Sequence, residues 1–567
     1  MEVIPAPEPI TGHIASSPKL AGADDVPHDL PPIEPLDLID GPKIRTKLRL
    51  YAILVALYLA LFVSALDQTI VSISIPTISA DLHSASGYVW IGGAYLLANA
   101  AAGPIWAKFS DIWGRKLVLL VAVGSFSAAS VLAALSTTMT MLIVGRALQG
   151  AAGGGLIQLV TITISDLFSV RERALYLGYI GFVWVLAGSA GPLIGGAFTQ
   201  FVNWRWCFWI NLPITGMTFV LLLLFLDVHN PRTKLFEGVK AVDWLGTSSI
   251  LAVTLLLLLG LDFGGAIFPW TSPKVICLIV FGTLSIGLFL FTEQRLAKYP
   301  LMPLNVFQSW SNNATFLVAF FHGMVLIGVE YYLPLYFQSV QQASPFRSGL
   351  LIVPLSVTQA IGEILVGILI HRTGHYRETI WIGAVLMTIG SSLYTILGTD
   401  TSVATIVGLQ IFGALGPSLL FQGPMVSIQN SVSQADTAAA TAALGFIRMV
   451  SMSLSVVLGG VVFQNSMNIK QPLLAAAGLN GTVLEALSGS QAAANVNIAG
   501  ANLDDSQRQV VLDAFAWSMK NMFIMYACLA AVALIASVFI KHRRLNTEHT
   551  ETKTGLQQLV KRGDTKS

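Results

Sequence analysis

Fourteen long apolar runs constrain this chain more than any other feature. They lie at about 50–75, 88–107, 117–136, 140–165, 174–200, 206–227, 243–262, 274–292, 312–337, 347–370, 379–398, 402–428, 438–465 and 519–541. About 20 apolar residues cross a bilayer as a helix, whereas a barrel strand needs only about 9–11. Hydrocarbon offers no partner to a backbone N–H or C=O, so runs of this length fold as helices. The expected fold is therefore an all-α membrane protein with fourteen transmembrane helices. Only 11% of the residues are charged, against about 25% in a soluble domain.

The distribution of the basic residues orients the spans. With the N-terminus in the cytosol, the inner flanks hold nineteen: Lys43, Arg45, Lys47, Arg49, Lys108, Arg115, Lys116, Arg171, Arg173, Arg232, Lys234, Lys240, Arg295, Lys298, Arg372, Arg377, Lys541, Arg543 and Arg544. The short outer loops hold three, Arg205, Lys274 and Arg347. One missed helix would move the later clusters to the wrong side, so this bias supports fourteen spans and two cytosolic termini. Residues 1–47 carry nine prolines between Pro5 and Pro42 and no apolar stretch behind a basic start. They read as a disordered cytosolic tail, not a cleaved signal peptide. Residues 466–518 are rich in Ala, Asn and Gln and read as an outer loop. Within it Asn480-Gly481-Thr482 makes Asn480 a candidate glycan acceptor.

Several chemistries find no footing. The net charge of +2 gives no reason to expect nucleic acid, and Cys207, Cys277 and Cys528 fall in separate runs without metal-ligand or disulfide spacing. Neither a G-x-x-x-x-G-K-[ST] phosphate loop nor an H-E-x-x-H pair occurs. An enzyme, a resident metal and a cofactor are not expected.

Charges inside apolar runs are informative, because each costs about 2.5–3.5 kcal/mol at a helix centre by insertion scales. Asp67, Arg146, Glu330, Glu363 and Arg448 are such residues, spread over five runs. Together they suggest a water-accessible cavity inside a bundle. For Asp67 two readings stand: a proton carrier, or a fixed ion pair, for instance with Arg146. Glu363 lies near the middle of its run and Glu330 near the outer end of its own, where an interfacial carboxylate is the competing reading. His322 reads as a satisfied interhelical histidine. Glycine clusters at Gly150–Gly155 and Gly188–Gly196 let helices approach closely, and Pro192 permits a kink. Between the second and third runs lies a short charged turn with Asp111, Gly114, Arg115 and Lys116. Carboxylate, glycine and two cations suit a tight turn that pairs charges at a water interface. A merely basic cytosolic loop is the plainer reading.

These residues resemble the major facilitator superfamily, and within it the fourteen-span drug:proton antiporter group. The charged turn matches the family's loop between spans two and three, with Ala107 and Ile112 where glycine and a second basic residue are usual. Leu66-Asp67-Gln68-Thr69-Ile70-Val71 with Pro76 resembles the first-span motif. Arg146, Gln149 and Gly150 resemble the proton-linked motif of span four. Gly191-Pro192 with Gly195-Gly196 resembles the antiporter motif of span five. Trp204–Pro213 resembles the start of span six, and Tyr331–Gln338 resembles span nine. The likeness covers about residues 48–465 and the last helix, and looks most like fungal toxin and multidrug exporters.

The resemblance implies two six-helix bundles, at 48–227 and 301–541, joined by two linker spans within 228–300 and followed by a cytosolic tail at 542–567. It implies that they rock about a midplane cavity. Asp67, Arg146 and Glu363 are the expected proton-coupling residues, and Asp111, Gly114, Arg115 and Lys116 the gating loop. Gln68, Gln149, Trp184, Glu330, Tyr331 and Arg448 are candidates for the substrate cavity, with Phe182, Trp209, Phe320, Phe321 and Tyr332 as further aromatic lining. The expected activity is proton-coupled efflux of small lipophilic compounds (drug, toxin or secondary metabolite), driven by the proton gradient with no cofactor. The partners are the substrate, protons and the lipid bilayer, and the expected state is a monomer. The cell membrane is the expected site, with the vacuolar membrane as the alternative. A proton-coupled importer or siderophore carrier on the same fold remains the rival reading. A transport-incompetent sensor is disfavoured by the short C-terminal tail.

Overall fold

The computed structural model describes residues 46–82, 87–231, 233–264, 268–296, 302, 304–488, 492, 503–545 and 554–555. Residues 1–45 of the expected tail at 1–47, with Lys43 and Arg45, residues 546–553 and 556–567 of the expected tail at 542–567, and the cations Arg232 and Lys298 lie outside the described residues. The long helices of the first half are α1 (Lys47–Asp81), α2 (Gly87–Trp113), α3 (Arg115–Ala134), α4 (Met139–Leu167) and α5 (Val170–Phe201). The sixth span comes in two pieces, α6 (Trp206–Trp209) and α7 (Asn211–Phe225). Short α8 (Leu235–Ala241) leads to the hairpin of α9 (Trp244–Phe263) and α10 (Pro273–Phe291). The second half holds α11 (Trp310–Ser339), α12 (Pro345–Thr373), α13 (Tyr376–Leu393), α14 (Val403–Ser431), α15 (Thr437–Ala476), short α16 (Gly481–Ala486) and α17 (Asp505–Ser537).

Among the described residues, thirteen of these spans are long and apolar enough to cross a membrane. The remaining expected span is α2, whose apolar content is diluted by Asn99 and Pro104. Its 27 residues still reach about 40 Å at 1.5 Å per residue.

Local chemistry sets the helix ends. Gly114, at φ +88°, breaks α2 from α3 in a backbone region that favours glycine. Ser169 and Glu172 close a capping box at the start of α5. Ser344 caps α12, which ends on left-handed Gly374.

Each half has its own core. One includes Ile53, Leu57, Val123, Phe126, Leu156 and Ile164 from the first half. The other includes Leu333, Tyr336, Ile380, Met387, Phe463, Phe515 and Tyr526 from the second. Helix α9 lies over the seam where α2 meets α15, with Leu258 packed with Leu97, Ala100 and Met449. Helix α10 remains largely exposed along its apolar surface, as a lipid-facing helix does.

The outer region expected at 466–518 is less loop-like than its polarity suggests. Helix α15 runs on to Ala476 and α17 begins at Asp505, 14 residues ahead of the expected start at 519. Average composition hides scattered apolar side chains there. Leu474, Leu479, Leu487, Val511 and Phe515 all join the second-half core, so packing extends both helices.

Candidate functional site

The first-half site is built on Asp67, whose residue is fully buried. It faces neighbouring helices, not lipid. Arg146 of α4 pairs with Asp67 Oδ2, and Asn211 and Gln149 donate to Asp67 Oδ1 at 2.7 and 3.1 Å. Ser130 accepts from Gln149 at 2.8 Å and from Asn211 at 3.3 Å. Arg146 also donates to the Ile91 carbonyl at 3.0 Å and lies 4.4 Å over the Tyr95 ring. Tyr95 shares a 3.1 Å hydrogen bond with Ser64. One carboxylate thus takes one guanidinium and two amides, a set that satisfies a buried anion.

Glycines bring these helices together. A Cβ on Gly150 would lie 2.1 Å from the Tyr95 carbonyl oxygen, and one on Gly154 2.2 Å from that of Asn99. On α5, a Cβ on Gly191 would meet Thr69 Oγ1 at 2.0 Å and one on Gly195 the Ile70 carbonyl at 2.2 Å. Pro192 lies in the same helix and Gly196 is half-buried.

The charged turn forms a second cluster. Arg115 is buried between Asp111, at 2.7 Å, and Asp166 at the end of α4, at 2.6 Å. Its guanidinium also donates to Ser110. Gly114 packs on Pro231, which would lie 2.7 Å from any Cβ placed there. Lys116 reaches the Leu223 carbonyl at 2.7 Å on the exposed side.

The same end of the molecule joins the two halves. Arg171 donates to the His371 carbonyl at 2.6 Å and to the Arg372 carbonyl, capping α12 from the opposite half. Arg173 donates to Gln434 at 2.8 Å. Gln429 bridges Ser165 at 2.8 Å and Thr441 at 3.0 Å. Ala107 and Ile162 pack against Ala438 and Ala442. This end is closed.

In the second half, Glu363 lies near enough to both Glu330 and Arg448 for its charge to interact with theirs. Arg448 donates to the Phe421 carbonyl and lies 4.7 Å over that ring. Gln359 lies beside Glu330. The Glu363 residue is half-buried, while its Oε2 is shielded and has no hydrogen-bond partner among the described residues. His322 is buried with one ring nitrogen 3.0 Å from the Pro417 carbonyl oxygen.

The candidate residues thus fall into three groups. Of the expected aromatic lining, Phe320 and Phe321 meet edge to face, as do Tyr331 and Tyr332. Trp184 is packed against the first-half core, Trp209 joins a separate cluster near Cys207, and Tyr331 is 58% exposed. Sequence reasoning assigned no role to Asn211, Ser130, Tyr95 or Asp166. Asn211 and Asp166 were open to the rule used for Asp67, a polar residue within or bounding an apolar run. Ser130 and Tyr95 carry no such signal.

Two helical halves meeting along seams, each holding buried charge, define a membrane transporter. The chain belongs to the Major Facilitator Superfamily, whose profile matches residues 57–456. It is 42% identical over 542 residues to the MFS-type transporter ppz2 of Metarhizium majus, covering 96% of this chain and 93% of that one. It is 42% identical over 509 residues to the efflux pump dotC of Dothistroma septosporum, covering 90% and 87%. Among solved structures it resembles the human organic anion transporter MFSD10, with TM-score 0.56, 14% identity and coverage of 86% and 99%. It also resembles the proton:xylose symporter XylE, with TM-score 0.53, 15% identity and coverage of 91% and 99%. At such identities the two structures speak to the fold alone.

Proposed function

We propose that this protein exports small lipophilic compounds in exchange for protons, by rocking its two halves. The termini and the closed end face the cytosol, and the cell membrane is the site of action. The observation that carries this reading is the Asp67 carboxylate. It is fully buried, and among the described residues Arg146, Gln149 and Asn211 hold it. Arg146 lies seven residues into α4, about 10 Å from the outer end of that helix. Protonation there removes a buried charge and releases Arg146, which changes the relative energy of the two arrangements. The names of the relatives, efflux pump dotC among them, support export over import.

The driving force suffices. One proton crossing 100 mV releases about 2.3 kcal/mol, and one pH unit adds about 1.4 kcal/mol. Together they sustain roughly a 500-fold gradient of a neutral compound, at about 1.4 kcal/mol per decade. Vesicles with an imposed pH gradient test the direction. Export predicts that a lipophilic probe moves against the proton flow. Movement with the protons would establish the importer instead.

A further inference from the structure

The two halves touch at mid-depth through a carboxyl group and a glycine. Glu363 lies ten residues before the end of α12, and Gly181 eleven residues into α5. Both are about 15 Å from the closed end. A Cβ on Gly181 would lie 1.8 Å from Glu363 Oε2 and 2.5 Å from its carboxyl carbon. A Cβ on Gly178, one turn earlier, would lie 3.0 Å from the Glu363 carbonyl oxygen. The side chain of the second half therefore rests in a space that exists because the first half has no side chain there.

We propose that Gly181 is the seat of Glu363, and that the seam between α5 and α12 closes only when this carboxyl is uncharged. This rests on the reading of Glu363 as a proton-coupling residue and names how its proton is tied to movement. The surroundings carry the argument. From α5 come glycines 178 and 181. From α14 comes the neutral Gln422, whose amide donates at 3.0 Å to the Glu363 backbone carbonyl and not to the carboxyl. From α11 comes Glu330, a like charge, and from α15 Arg448, which donates to the Phe421 carbonyl instead. On α12 itself the neutral Gln359 lies beside Glu330, and Arg377 and Glu378 of α13 pair with each other in its first turn. An ionised oxygen without a donor is costly in such a place, whereas a neutral carboxyl fits. When the halves part, water reaches the seated Oε2 and the proton leaves toward the side that has opened. A seat on this seam thus lets the proton ride with the closed arrangement and depart with the open one.

The test reads seam closure without substrate or transport. Ala438, buried in the closed end, is replaced by cysteine in the full chain with Cys277→Ser and Cys528→Ser. Its alkylation rate is measured in nanodiscs across pH. Each rate is normalised to the same cysteine in the denatured chain, because thiol reactivity itself varies with pH. The expected result is slower alkylation at low pH in the parent. Glu363→Gln should be slow at every pH. Gly181→Ala should be at least about fivefold faster at every pH, since the methyl group displaces the carboxyl. Adding Glu363→Ala to Gly181→Ala should restore slow alkylation, which a merely misfolded variant would not do. Gly124→Ala, where a Cβ meets nothing within 4 Å, should match the parent. A parental rate in Gly181→Ala, or a pH dependence that survives Glu363→Gln, overturns the proposal. Failure of proton-driven export with this seam behaviour intact would remove only the transport reading.

Discussion

Arg146 and Asp67 lie 79 residues apart in the chain and meet as a buried ion pair inside the first half. Breaking a buried pair by removing one partner leaves an uncompensated charge and costs about 3–5 kcal/mol. Arg146→Ala is expected to show this loss as a lower unfolding temperature in detergent. An apolar pair, Asp67→Leu with Arg146→Met, should recover much of that stability while abolishing transport. Equal stability in Arg146→Ala and the parent would mean that the pair is not formed.

Helices α2 and α4 depend on bare backbone at Gly150. Gly150→Ala places a methyl group 2.1 Å from the Tyr95 carbonyl oxygen, and overpacking of this kind costs about 1–3 kcal/mol or more. The expected outcome is a sharply lower yield of monodisperse protein. Gly92→Ala, with nothing within 4 Å of its Cβ, should be neutral and serves as the control in the same gel-filtration assay.

At the charged turn Arg115 bonds two carboxylates. Asp166→Asn removes the 2.6 Å partner and keeps the 2.7 Å one, Asp111. The expected cost is about 1.5–3 kcal/mol, the value of a charge-assisted hydrogen bond. Asp111→Asn should cost a similar amount. Because both substitutions weaken one guanidinium, the double variant should fall short of additivity, as read by thermal unfolding of all four proteins.

Arg171 holds the closed end by donating to the carbonyls of His371 and Arg372. Arg171→Ala is expected to raise the exchange rate of backbone amides at the start of α5 roughly tenfold, from the loss of a charged hydrogen bond worth about 1.5–3 kcal/mol. Hydrogen exchange followed by mass spectrometry checks it. The corresponding segment at the far end of α5 should not change.

The fold was highly legible because hydrocarbon permits so few backbone solutions. Run length alone located the long helices, and the basic flanks fixed an expected count. Legibility ended where composition stopped reporting packing. The stretch around Leu474 to Phe515 looked like a polar loop because its apolar residues are sparse, yet they complete a core. The Asp67 site was half legible. Arg146 and Gln149 sit three residues apart on one helix, a spacing that places them on one face. Asn211 comes from a distant helix start, and no local periodicity ties it to Asp67. The seat of Glu363 was illegible in principle, since a glycine marks an absence of atoms and the sequence does not say whose atoms fill it.

Proton release inside sealed vesicles tests the account most directly. Purified protein is reconstituted with an internal pH dye, and a lipophilic probe is added on the side that the cytosolic face occupies. The parent should move protons only when the probe is present, in the direction opposite to it, and Asp67→Asn should move none while still folding. Probe-driven proton movement that persists unchanged in Asp67→Asn would contradict the account.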